Sequence, residues 1–477
     1  MRKKGSVTVF LTLILSLLLS LICASIESVR MASARTQILN GMDIGLYSLF
    51  GQYDKELLTD YDLFTLDGSR GGGQLNLAAV CDELEAYMNP VLKQNSQKLT
   101  LCQSGLTGYR LLTDQKGEAF YQQIVGYMQE TLGSQRIQLL HGRMSERQEK
   151  TAQADQSANQ AQSKGSIDRY DSEMNQASEK SQQAAEEAQV VPQAPPAKNP
   201  ITIMKRIMKR GVLELVLPGG NGLSTKEIEK GTLVSGRGLQ QGMEMPDGMT
   251  VENSYTSEVF FQQYLMEHLG SYAEPSSTGL AYQVEYIFGG KDSDEDNLKA
   301  VASKLLFIRE GVNFACLMAD NVKRSEAQAL ATAIASGFLV PPAAVIIEAA
   351  LILCWAFAES VLDVRELFAG GRIPLVKSSG DWQISLENLP DLMEGLDSMR
   401  RNDEKGMSYK DYLQVLVLTV SKEKKVMRAM DMIENTIREK GRKNFCMDSC
   451  IVALEAFADV KANKKKDFQV IRQYCYE

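Results

Sequence analysis

Histidine is nearly missing from this chain: 477 residues carry only His141 and His268, far apart in sequence. Zinc centres built on imidazoles and histidine-based acid–base catalysis therefore have almost nothing to work with. The eight cysteines (Cys23, Cys81, Cys102, Cys316, Cys354, Cys446, Cys450, Cys475) contain no CxxC pair, which argues against a zinc knuckle or a thioredoxin-type redox motif. A P-loop, a nucleophile elbow, an HExxH pair and a serine or cysteine triad pattern are all lacking. The run GRGLQQG at residues 236–242 misses the dinucleotide spacing and has no βαβ pattern around it. A basic excess is missing too: the net charge is -8, so no nucleic-acid partner is expected. From these absences no catalytic residue, cofactor or metal is assigned, and the chain is expected to be non-enzymatic.

What is present is ordinary globular material with one exception. Hydrophobic residues make up 44% and charged residues 23%, enough for sizeable cores, and the length suits two or three domains. The exception is the stretch KKGSVTVFLTLILSLLLSLICASIESVR at residues 3–30. No charged side chain occurs between Lys4 and Glu27, and at ~1.5 Å per helical residue this run reaches about 33 Å, enough to cross a hydrocarbon core of about 30 Å. Arg2, Lys3 and Lys4 precede it, so the positive-inside rule keeps that end in the cytoplasm and sends the bulk out. Cleavage is the competing reading, because CAS before Ile26 and ASA before Arg35 offer small residues at signal-peptidase positions. A lipoprotein signal fits worse, since bulky Ile22 precedes Cys23. Apolar residues continue at helical steps through Ile26, Val29, Ile38, Met42, Leu46 and Leu49 without a proline, so the span reads as the first half of one long helix.

The pattern KKGSVTVF, the long apolar run, Glu27, Arg30 and Asp43 resemble the N-terminus of TadE/TadG-like proteins of tight-adherence (Flp) pilus systems. That resemblance implies a pseudopilin-like component with other pilus or secretion-system membrane proteins and the lipid bilayer as partners. It makes Gly5 and Ser6 a processing junction and assigns Phe10, Glu27 and Arg30 to helix packing in the membrane. Phe10 departs from the family pattern, which carries a glutamate there. Further on, EYIFGGKDSDEDNLKAVASKLLFIREGVNFA, WAFAESVLDV and the closing segments resemble an uncharacterised family of Gram-positive bacterial proteins that begin with the same helix. The alternative from another class is an envelope-bound sensor or ligand-binding module.

The remaining pattern predicts an α+β fold: a long N-terminal transmembrane helix continuing outside the membrane, a small α+β domain, a polar linker and a larger, mostly helical α+β C-terminal domain. The expected boundaries are a basic tip at 1–6, the span at 7–26, its helical extension at 27–60, a membrane-proximal domain at 61–144, a low-complexity disordered linker at 145–200, an irregular or β connecting region at 201–254 and the C-terminal domain at 255–477. The linker expectation rests on a stretch almost without large apolar residues, which cannot offset its ordering entropy. In the C-terminal domain, GLAYQVEYIFGG reads as a strand from its alternation, and NFCMDSCIVALEAFADV and DFQVIRQYCYE read as closing strands.

A second hydrophobic region, residues 327–358, is split by Pro341 and Pro342 and interrupted by Glu348, with Glu359 and Asp363 close behind. Each carboxylate near a bilayer centre would cost about 3 kcal/mol, so a buried helical hairpin is expected. Glu359 and Asp363 lie one helical turn apart. Paired carboxylates can do acid–base chemistry, but nothing else of a catalytic site accompanies them, and a polar stripe bordering the core is the expectation. Asp292, Asp294 and Asp296 have the spacing of the first EF-hand ligands, yet the loop's glycine and closing glutamate are absent. They are expected to serve as helix cap and dipole partners. Cys446 and Cys450, four apart, are compatible with a disulfide or with a shared core position.

Overall fold

A computed structural model describes residues 4–94, 99–132, 134–163, 172, 176, 200–217, 222–243, 245, 254–337, 343–391, 406–462 and 466–476. In chain order the elements are α1 (Lys4–Phe50), α2 (Lys55–Tyr61), β1 (Leu66–Asp67), α3 (Leu77–Lys93), β2 (Leu99–Leu111), α4 (Asp114–Thr131), α5 (Ser134–Ser163), α6 (Pro200–Met208), α7 (Val212–Val216), α8 (Tyr255–His268), α9 (Gln283–Gly289) and α10 (Asp294–Ala319). There follow α11 (Asn321–Gly337), α12 (Ala344–Phe368), β3 (Arg372–Ile373), β4 (Met407–Ser408), α13 (Tyr409–Leu418), α14 (Lys422–Glu439), β5 (Cys450–Ala462) and β6 (Lys466–Cys475). The fold is α+β, and the chain divides into two compact units.

The first unit comprises Met1–Tyr127, Gly231–Glu252 and Ile437–Glu477. Its sheet is antiparallel, with β5 at the centre paired to β2 on one side and to β6 on the other, and β1 completing the edge at Leu66 and Asp67. The closing strands therefore belong with β2, not with the 255–436 region, and the domain boundaries differ from the sequential ones expected above. Across this sheet lie α3 and the second half of α1. Ala34, Ile38, Met42, Leu46, Leu49 and Phe50 recur every three or four residues on α1 and are all buried against Val80, Leu84, Met88 and Leu92 of α3. The facing strand β5 carries Ala456 and Ala458 between Leu454 and Val460, so the helices can approach closely. Phe50 packs against the rings of Tyr474 and Tyr476 at 4.7 and 4.8 Å. Each buried aliphatic or aromatic side chain contributes roughly 1.5–3 kcal/mol of burial.

The second unit comprises Met128–Lys230 and Asn253–Thr436 and is mainly helical. Its centre is the packing of α10 on α12, with α5, α9 and α11 around them. The hairpin expected from residues 327–358 is present as α11 and α12. The most apolar window of α12 is 78% buried within the protein. Three segments differ from expectation. Residues 145–163 continue α5 instead of starting a linker, because Thr151 and Ala154 are buried on the packed face; apart from Ser172 and Gln176, the rest of the expected linker lies outside the described residues until Pro200. The 201–216 part of the expected connecting region folds as the bulk of α6 and as α7, with Ile201, Met204 and Ile207 of α6 buried.

The third is the segment read as a strand, which forms α9. Every residue from Gln283 to Ile287 is buried, so its apparent alternation carried no information about which face meets solvent. Gly290 closes the helix in the left-handed region at φ 61, where a side chain would be strained.

The α1–α3 crossing depends on Gly45. A Cβ there would stand 2.7 Å from Met88 Cγ and 3.1 Å from Leu84 Cδ1. Gly45→Leu is expected to destabilise the first unit by about 1–3 kcal/mol through overpacking, read as a lower midpoint in chemical denaturation; an unchanged midpoint would show that the helices are not held at this distance.

Candidate functional site

Two features stand out, one at each end of the polarity scale. The first is the leading half of α1. An 18-residue window there has a mean hydropathy of 2.7 and is 0% buried. Phe10 is 63% exposed, its neighbours Leu11, Leu13, Leu15 and Leu17 are equally bare, and Thr12 and Ser20 return their hydroxyls to the carbonyls of Val9 and Leu17. Such internal satisfaction is what a helix in hydrocarbon requires of its few polar groups. Gly5 and Ser6 lie in the first turns of the helix, and Glu27 and Arg30 are exposed just beyond the apolar run. An N-terminal apolar helix of this kind has the length and composition of a membrane anchor or signal sequence.

The second feature is a cluster of four charges inside the second unit. Arg309 of α10 directs Nε and Nη2 to Asp363 Oδ2 of α12 at 3.0 and 2.8 Å. Its Nη1 donates to the carbonyls of Pro374 and Leu375 and to the Tyr412 hydroxyl. Asn313 adds its Nδ2 to the same Asp363 oxygen at 3.0 Å. The other oxygen, Oδ1, faces Lys377 Nζ at 2.5 Å, and Lys377 lies 2.5 Å from Glu359 Oε1 as well. Glu359 is anchored from the far side by the backbone N–H groups of Gln383 and Ile384. The four charged side chains are at most 3% exposed.

Two cations balance two anions there, and the electrostatics follow from that balance. Burial works against the Asp363 carboxylate, but Arg309 and Lys377 outweigh it and hold its pKa below the usual range. Burial likewise opposes the Arg309 guanidinium, and Asp363 reverses the effect. Trp382 covers the group: Lys377 Nζ sits 5.6 Å from its ring, and Lys323 sits 5.1 and 5.2 Å from the rings of Trp355 and Trp382. Glu359 and Asp363 are therefore inside the core, not on a stripe bordering it. Glu348 is separate, 3.8 Å from Arg324 nearer the surface. Lys377 carried no sequence signal, because it stands alone in a short segment after β3.

The expectation for the aspartate triplet holds in part: Asp294 and Asp296 lie in the first turn of α10, where acidic side chains suit the helix dipole. Ser293, not an aspartate, caps α10 through the Asp296 N–H. Asp294 is fully buried and accepts from the N–H groups of Ala281 and Tyr282 and from the Ser224 hydroxyl. It thus fixes the turn that starts α9. Among the described residues no group of three or more His, Cys, Asp or Glu could hold a metal. Cys446 and Cys450 form no disulfide with each other, and Cys450 is buried. The glycine-bearing run at 236–242 is held by carboxylates: Gln240 N–H donates to Asp448 and Gly242 N–H to Asp114.

Glu285 of α9 is fully buried, and its burial outweighs its compensation. Desolvation raises its pKa to about 7, and hydrogen bonds from the Tyr409 hydroxyl and the Tyr272 N–H offset this only in part. A carboxyl raised in the folded state costs stability as pH rises from its unfolded value near 4.3 to its folded one. Glu285→Gln removes that cost, so the variant should gain on the wild type by of order 2–3 kcal/mol between pH 4.5 and 7 and by little more above that; parallel stability curves would show that Glu285 does not titrate there. For the charge cluster, Lys377→Met leaves Glu359 and Asp363 short of a cation, and a loss of about 3–5 kcal/mol is expected in denaturant unfolding.

No curated protein and no solved structure matches the chain, and no finding connects α1 with TadE/TadG-like proteins. Residues 192–462, more than half of the chain and including both the charge cluster and the central strand β5, match the model of a family of unknown function, DUF5702, and the chain belongs to that family.

Proposed function

We propose that this is a non-enzymatic, membrane-tethered protein whose single span is the leading half of α1 and whose two units work on the extracytoplasmic side. The observation that carries the reading is the change of environment along one unbroken helix. The apolar half is bare, while the half beginning at Ala34 is locked into the core of the first unit. A typical signal-peptide apolar region is only 7–15 residues long, whereas this uncharged run extends from Ser6 to Ser25 and beyond. Arg2, Lys3 and Lys4 supply the charge that retains the near end in the cytoplasm. Because helix and core are continuous, insertion would fix the first unit relative to the bilayer with no hinge between them. The charge cluster is buried, so no external substrate reaches it.

The finer reading, a pseudopilin-like structural or accessory component of a tight-adherence pilus or related secretion apparatus, rests on the sequence pattern around Gly5 and Ser6. An envelope-bound sensor or ligand-binding module is the alternative.

The protein is expected in the membrane pellet after an alkaline wash and in the detergent extract. Leu15→Arg with Leu18→Arg, at about 2.5–3.5 kcal/mol per central arginine, should shift it out of that pellet. N-terminal sequencing of the mature form divides the readings: a start at Met1 supports the anchor, a start at Ser6 the pilin-like form. A start at Ile26, or a cytosolic intact chain, overturns the tether.

A further inference from the structure

Lys377, Asp363 and Glu359 are placed for chemistry on one another. A primary amine touches two carboxylates at 2.5 Å each, with no side chain of the three more than 3% exposed. The two carboxyl groups are not equivalent. Among the described residues, Glu359 is held by the amine and by the backbone N–H groups of Gln383 and Ile384. Asp363 has its far oxygen, Oδ2, in a cradle of three N–H donors from Arg309 and Asn313, while its near oxygen faces the amine. That is the arrangement an acyl transfer uses: donors fixed where negative charge develops, a nucleophile on the opposite side and a proton carrier beside it.

We propose that Lys377 and Asp363 become joined by an intramolecular isopeptide bond, with Glu359 as the proton carrier and Arg309 with Asn313 as the oxyanion cradle. Glu359 relays one proton from the Lys377 ammonium to Asp363 Oδ1, leaving a neutral amine beside a neutral carboxylic acid. The freed Nζ lone pair attacks Asp363 Cγ, and Oδ2 takes up the negative charge in the cradle. Glu359 then moves a second proton from nitrogen to the Oδ1 hydroxyl, the Cγ–Oδ1 bond breaks, and one water leaves. The ammonium and carboxylate have then become an amide and a water, with every atom and charge accounted for and no co-reactant needed.

The environment supplies the driving force. In bulk water an ammonium and a carboxylate are well solvated and do not condense. Here both have been taken out of water, where holding two ions is costly even when they are paired, and condensation removes one charge of each sign. Arg309 and Glu359 remain, one beside the new carbonyl oxygen and the other beside the new N–H. Trp382 and Trp355 close the site from the side of Lys377 and Lys323. The bond would close a covalent ring from α12 through β3, pinning the segment that carries the Pro374 and Leu375 carbonyls. This inference does not rest on the membrane reading, since the reacting groups are all within the second unit.

The test is peptide mapping of the purified full-length protein. A trypsin digest should show no cleavage after Lys377 and a branched peptide lighter by one water than its two linear parts, with fragmentation placing the link at Asp363. Linear peptides with normal cleavage after Lys377 in the wild type would overturn the proposal and leave an ion-pair network, and a link at Glu359 would overturn the assignment of partners. Glu359→Gln should abolish the branched species; its persistence in that variant would overturn the proton-carrier role. The wild-type digest decides the central point without any variant having to fold.

Discussion

The constraint on which the rest depends is that α1 carries two different surfaces along one helix. Its first half offers hydrocarbon side chains on every side, and a helix apolar all round is stable only where no water meets it. Its second half is amphipathic, with its apolar stripe covered by α3 and β5. Since the helix does not break between them, whatever holds the first half also holds the first unit. The glycines at 41 and 45 serve the same end by letting α3 come close, with Leu92 and Met88 occupying the space a side chain would need.

The second unit solves the opposite problem. It keeps four charges in its interior, where a pair is no cheaper than well-packed apolar residues of similar volume. The geometry shows what they do there: Arg309 alone ties α10 to α12, to the segment after β3 and to the Tyr412 hydroxyl of α13. Asp294 does the same on a smaller scale, fixing the start of α9 through two backbone N–H groups. In both places a buried charge specifies where irregular backbone must lie, which apolar packing does poorly because it is not directional.

Local period made a good part of this legible. The helical spacing of Ile38, Met42 and Leu46 marked the extension of α1, the two closing segments were legible as the strands β5 and β6, and the proline pair with its following carboxylates marked a buried hairpin. What was illegible depended on partners distant in sequence. Nothing in NFCMDSCIVALEAF says that its partner is some 340 residues earlier, so the sequential division into domains failed. A short helix buried on all sides, as α9 is, has no polar face to give its period away. Glu359 and Asp363 were visible as a pair one turn apart, but their partners Arg309 and Lys377 had to be brought in by the fold.

The central position of β5 bears on the order in which the protein assembles itself. Its pairing partner β2 leaves the ribosome long before Cys450 does, by about 20–70 s at elongation rates of about 5–20 residues per second. Through that interval the inner face of β2 and the stripe on α1 have α3 for company but no central strand. The second unit, by contrast, is fully synthesised once Thr436 has emerged. The half of the molecule nearest the start of the chain is thus the last that can be finished, and it spends its synthesis as an open sheet edge in need of protection.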